Sequence, residues 1–148
     1  VSAAVWILLA VLAVSAVAGT WLLVRAGRRR RWLGRLETAK SEVAWFAREL
    51  VPQLCASGSV HRVVGGWQVA MPRLAAAENE LTVLMSSARS QEDAAQAGQL
   101  RDAVLLATER MQTLSAPGSH DEWVLDLDDV AAGLVAVLGP SATTVTAA

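Results

Sequence analysis

Cysteine occurs once, phenylalanine once, histidine twice and tyrosine not at all in the 148 residues of this chain. The lone Cys55 excludes an intramolecular disulfide and a cysteine-based zinc cluster. On an apolar stripe a single cysteine reads as a small core residue. Two distant histidines and no tyrosine leave few of the groups that acid–base catalysis draws on. No Walker-type glycine loop, G-x-S-x-G elbow or H-E-x-x-H pair is present. Charge is missing from the whole of residues 1–24, "VSAAVWILLAVLAVSAVAGTWLLV". That absence excludes an ordinary soluble surface helix there.

What is present is arranged asymmetrically. Arg25, Arg28, Arg29, Arg30, Arg31 and Arg35 are the only charges in residues 1–35, leaving seven basic residues against all fourteen acidic ones beyond them. The formal net charge of −1 therefore hides a basic collar followed by an acidic body. The chain has room for one membrane segment and one small core.

An uncharged helix of 24 residues spans about 36 Å, against a hydrocarbon layer of about 30 Å. In lipid a helix satisfies its own backbone N–H and C=O groups. Trp6 lies near one end of the run and Trp21 and Trp32 near the other, where indoles favour the interface. A cleaved signal peptide is the rival, with Ala16-Val17-Ala18 as its small-residue cleavage site. A signal peptide carries its positive charge before the apolar core. Here the charge follows, and "GTWLLV" continues the apolar run, so an uncleaved anchor is expected. The positive-inside rule then puts the N-terminus outside and the remainder in the cytoplasm. Val1 fits either an alternative start codon or a truncated chain. The expected membrane-interface residues are Trp6, Trp21, Arg25, Arg28, Arg29, Arg30, Arg31, Trp32 and Arg35, facing a bilayer with an anionic inner leaflet. Each arginine contributes about 1 kcal/mol of attraction to such a leaflet. No recognition fold accompanies the collar, so no nucleic acid is expected. Ser15 and Gly19 form one small-xxx-small pair of the kind that supports helix pairing.

Beyond the collar the apolar spacing is helical. Leu36, Val43, Phe46, Ala47, Leu50 and Leu54 share a stripe. Val60, Val64, Trp67, Met71, Leu74, Leu81, Met85 and Ala88 make a second. Ala97, Leu100, Val104, Ala107, Met111 and Leu114 make a third, and Val124, Leu127, Val130, Ala131, Leu134 and Leu138 a fourth. Ser90 before Asp93 and Ser119 before Glu122 have capping-box spacing. Gly58, the loop "SAPGS" and Gly139-Pro140 separate or end helices. Pro52 and Pro72 sit inside stripes, where each removes a backbone donor. Gly65-Gly66 weakens that helix further, but the Met71 and Leu74 phase survives across Pro72, so a kinked helix is expected there, with a break and a restart as the alternative.

The expected fold is all-α: a single N-terminal transmembrane helix and a small antiparallel cytoplasmic bundle of about four helices. The divisions are a transmembrane helix at 1–24, a polybasic juxtamembrane segment at 25–35, a helical domain at 36–138 and a flexible tail at 139–148. Stripes this narrow also suit coiled-coil self-association or docking, with Val43, Phe46, Leu50 and Leu54 as a possible interaction face.

Candidate chemistry reduces to simpler readings. His61 has Arg62 and Gly66 where a phosphoacceptor histidine usually has an acidic neighbour and a proline. His120, Asp121 and Glu122 are adjacent and point different ways on one helical turn, so a cap explains them better than a metal. Asp126-Leu-Asp128 begins like a calcium loop but lacks its glycine and terminal glutamate. Glu122, Asp126 and Asp129 form one acidic helix face, read as solvated. The sharper reading is competition with anionic lipid for the collar. No residue is assigned as catalytic, cofactor-binding or metal-ligating, no cofactor is expected, and the expected role is non-enzymatic.

The stretch "SEVAWFARELVPQL" resembles one found in small single-pass membrane proteins of actinobacteria, with Glu42, Trp45, Glu49, Leu50, Val51 and Pro52 in an E-x-x-W-x-x-x-E-L-V-P arrangement after an anchor and an arginine collar. The resemblance implies topology and a helical cytoplasmic part, and no functional residues carry over. The expected function is a membrane-anchored interaction or scaffold protein working with a protein partner or as a homo-oligomer. The alternative is a regulatory or sensory transmembrane element acting through self-association or a partner membrane protein.

Overall fold

The computed structural model describes residues 3–116 and 123–139, and every regular element among them is helical. The expected cap at Ser119–Glu122 and the tail from Pro140 onward lie outside the described residues. The chain divides into two compact units, Val1–Gly34 and Arg35–Ala148.

The first unit is helical throughout its described length, as part of α1 (Ala3–Trp45). Its apolar side chains, from Val5 to Val24, are exposed on every side. Thr20 Oγ1 donates to the Ala16 carbonyl at 2.8 Å, so the hydroxyl has a partner within the helix itself.

The second unit begins with the last residues of α1. Those lead into a π-helical turn (Phe46–Leu50), α2 (Val51–Ala56), α3 (Val60–Ser87), α4 (Gln91–Leu114) and α5 (Trp123–Leu138). The π turn is how the chain accommodates Pro52. A proline offers no N–H and its ring collides with the carbonyl four residues back in a regular helix. Here the Val51 N–H reaches back five residues to the Phe46 carbonyl, and Pro52 opens the next segment at its first positions. Pro72, by contrast, sits inside an uninterrupted α3, so the helix continues through it.

The ends of these helices follow their sequence. Ser90 is extended, and its hydroxyl accepts from the Asp93 N–H at 3.1 Å, as the capping spacing predicts. Gly58 and Gly139 have φ of +63° and +79°, the left-handed conformation that closes a helix and favours glycine.

The core is entirely apolar among the described residues. Its centre is Phe46, fully buried and set edge-on to Trp67 at 6.0 Å between ring centroids. α4 buries all six positions of its expected stripe. α3 buries Val63, Trp67, Ala70, Leu74, Ala77, Leu81 and Leu84. Trp67, Leu74 and Leu81 were expected there, whereas Met71 is exposed and Val60, Val64, Met85 and Ala88 are only partly covered. At one of these steps the seam takes the smaller of two apolar neighbours, Ala70 over Met71. Gly66 shows the same demand for closeness: a Cβ there would lie 2.6 Å from Leu54 Cδ2.

α1 and α3, and α3 and α4, pair in opposite chain directions. Arg35 and Glu42 of α1 meet Glu80 and Arg73 of α3, descending as α1 ascends. Gly98 lies against Met85, and Arg101 against Thr82 and Glu78, with the same reversal between α3 and α4. α5 packs on α4 and on the π turn and α2.

Candidate functional site

Two surfaces are candidates for function, one in each unit. The first is the apolar helix with its arginines. One helix of the described chain is long and apolar enough to cross a membrane, with a mean hydropathy of 2.5 over its most apolar window. Residues 5–24 span about 30 Å as a helix, matching a hydrocarbon layer of about the same thickness. Trp6, at 69% exposure, marks one end and Trp21 the other. Arg25 lies over the Trp21 ring at 5.1 Å from its centroid, a cation–π pair one turn apart.

Arg25, Arg28, Arg29, Arg30 and Arg31 are all exposed. Consecutive helical residues step about 100° round the axis, so the four guanidiniums of Arg28–Arg31 point to every side. They form a ring. Arg35 stands apart from that ring. Its guanidinium makes a two-pronged bond to the Glu80 carboxylate, with Nη2 donating to Oε2 at 3.0 Å. That bond, and Glu80's charge, push the Arg35 pKa up. Arg35 therefore ties α1 to α3 within the second unit. Trp32 is half-buried.

The second surface is on the helical unit. Val43, Phe46 and Leu54 of the expected interaction face are buried in the unit's own core, and Leu50 is half-buried. The stripe is consumed by folding, because a domain this small needs its widest apolar faces for itself. The apolar surface left outward is elsewhere. A groove of 370 Å³ runs between α4 and α5, floored by Ala103, Leu106, Gly133 and Val137 and edged by Asp102, Arg110 and Asp129. Leu106 and Val137 remain 50% and 40% exposed. Only the relative rotation of two helices reveals this groove.

A further cluster that sequence reading missed holds α1 to α3. The Arg73 guanidinium sits 3.7 Å from the centroid of the Trp45 ring and 2.7 Å from a Glu42 carboxylate oxygen. Spacing gives no hint of it, since Glu42 and Arg73 are 31 residues apart.

Chemistry-bearing groups do not converge among the described residues. No group of three or more histidine, cysteine, aspartate or glutamate side chains is placed to hold a metal ion. His61 is exposed at the start of α3. Cys55 is half-buried, and burial first, then the charge of Asp128, push its thiol pKa up. A thiol held protonated is a poor nucleophile. Asp126 is half-buried and Asp129 exposed on α5, while Glu122 lies outside the described residues.

Comparison with known proteins gives no match: no family model, no curated protein and no solved structure is similar to this chain.

Proposed function

We propose that this chain is a single-pass, non-enzymatic docking protein that holds a small antiparallel helical bundle at the cytoplasmic face of the cell membrane. The observation that carries the reading is the junction in α1: an apolar surface exposed on all sides, followed directly by a ring of exposed arginines. A helix hydrophobic all round requires either the interior of a large protein or a membrane. A helix lying flat in an interface keeps its cations on one face and its apolar residues on the other. Neither half of this junction has two faces, which favours a helix that passes through the headgroup layer over one that rests in it.

The ring also favours one orientation. Each arginine at the bilayer centre costs roughly 2.5–3.5 kcal/mol on insertion scales, so the ring's four and Arg25, five in all, hold their end on the side of synthesis. The same five attract anionic lipid at about 1 kcal/mol each. The bundle then faces the cytoplasm, where its partner is a second protein or another copy of the chain. Scattered chemistry-bearing groups support docking over catalysis.

Two measurements test this. Single cysteines placed at Ser2 and Ser87 in a Cys55→Ser background are labelled with a membrane-impermeant maleimide on sealed cells. Labelling at position 2 and protection at position 87 is expected. Label at position 87, or recovery of the chain in the soluble fraction, refutes the anchor. Cross-linking in isolated membranes then reads the partner. A heteromeric adduct supports docking, and a homodimer alone shifts the reading to regulation by self-association.

A further inference from the structure

The α4–α5 groove has a shape and a charge that together define its occupant. Its lining follows Gln99, Ala103, Leu106 and Arg110 along α4 and Val130, Gly133 and Val137 along α5. From residue 99 to 110 that is three turns, about 16 Å. Two parallel ridges with a trough between them are what a third helix packs into. At the centre, Ala103 and Gly133 face the trough with the smallest side chains available, and a Cβ added at Gly133 would meet nothing within 4 Å. The space admits one large apolar side chain, the anchor on which helix-in-groove binding depends.

At the groove itself the two carboxylates of Asp102 and Asp129 stand against a single guanidinium. Arg101 is already turned onto α3, its Nε donating to Thr82 Oγ1 at 3.0 Å. Arg110 is the one cation at the groove's edge, opposed there by Asp102 and Asp129. An acidic face of this kind repels an anionic leaflet and favours a cationic protein surface.

We infer that the α4–α5 groove is the docking site for a cationic amphipathic helix of a partner protein, which seats apolar side chains over Ala103 and Gly133 and turns lysines or arginines toward Asp102 and Asp129. This deepens the docking reading above and rests on it.

The test uses the full chain in nanodiscs of phosphatidylcholine, whose headgroups carry no net charge to draw the probe. The probe is a fluorescent synthetic helix of about five turns, leucine on one face and lysine on the other. Its twin carries glutamate in place of lysine. The lysine helix binds, and the glutamate helix binds at least about tenfold more weakly, a difference of about 1.4 kcal/mol. Gly133→Phe fills the trough and lowers the lysine helix's affinity by about tenfold or more. Gly65→Phe, placed on an exposed position of α3, leaves it unchanged, and far-UV circular dichroism reports that both variants are folded. Equal affinity for the two helices, no binding of either, or indifference to Gly133→Phe overturns the inference. The docking reading stands or falls separately, on whether membranes yield a cross-linked partner.

Discussion

Gly65 and Gly66 are adjacent in the same helix, and replacing each by alanine tests how closely α3 approaches α2. In a helix interior, glycine to alanine gains roughly 0.8–1 kcal/mol from backbone entropy and solvation. Gly65 is exposed and a Cβ there meets nothing within 4 Å, so Gly65→Ala keeps the whole gain. At Gly66 the new Cβ falls 2.6 Å from Leu54 Cδ2 and 3.4 Å from its Cδ1. Carbon atoms prefer separations of about 3.5–4.0 Å, so the overlap is about 1 Å. Leu54 is only 6% exposed and can give way only into the core. Overpacking of that kind costs about 1–3 kcal/mol, which offsets the gain and leaves Gly66→Ala between neutral and about 2 kcal/mol destabilised. The assay is guanidinium unfolding of the full chain in mild detergent, followed by fluorescence. Trp67, 4% exposed and against Phe46, reports the loss of the core. The two variants should differ by about 1–3 kcal/mol, or roughly 4–8 °C in Tm per kcal/mol for a domain of this size. Leu54→Val shortens the side chain by one carbon and vacates both Cδ positions, and in that background Gly66→Ala should recover most of the gain. If Gly66→Ala stabilises as much as Gly65→Ala in the unaltered chain, the close approach is refuted.

Phe46→Ala removes a fully buried ring and should cost about 3–5 kcal/mol; denaturant titration measures it, and a loss under about 1 kcal/mol contradicts a packed centre. Cys55, its thiol pKa raised by burial and then by Asp128, should alkylate more slowly than a free cysteine at pH 8, with Asp128→Asn speeding the reaction at fixed pH. Because the folded thiol holds its proton longer than the unfolded one, its contribution to stability is full below the unfolded pKa and is lost as pH rises through the folded value. Replacing Arg28, Arg29, Arg30 and Arg31 by glutamine removes roughly 10 kcal/mol of opposition to crossing, so impermeant labelling should find molecules in both orientations.

The long apolar helix was legible because one signal, twenty-four residues without charge, announces it. α4 was legible in full: Ala97, Leu100, Val104, Ala107, Met111 and Leu114 alternate three and four, and all are buried. α3 was legible only at Trp67, Leu74 and Leu81. At three other turns two apolar neighbours compete, Val63 with Val64, Ala70 with Met71 and Leu84 with Met85. Hydrophobic period cannot choose between adjacent residues, whereas closeness to the facing helix does. Pro52 announced a disturbance without its form, because a kink and a widened turn both relieve the same clash. The docking stripe through Val43, Phe46 and Leu54 was read correctly as apolar but turned inward. The groove was beyond reach for a different reason: it joins the flanks of two helices, and no single-helix pattern contains it.

Because the guanidiniums of Arg28–Arg31 point to every side, in the anchored arrangement proposed above, spinning that helix about its own axis swaps one cation for the next at each lipid phosphate. The electrostatic energy is nearly flat with angle, while sinking or rising by one turn is steeply opposed. Such an anchor behaves as a bearing: depth is set by lipid, azimuth is left to whatever protein the chain meets.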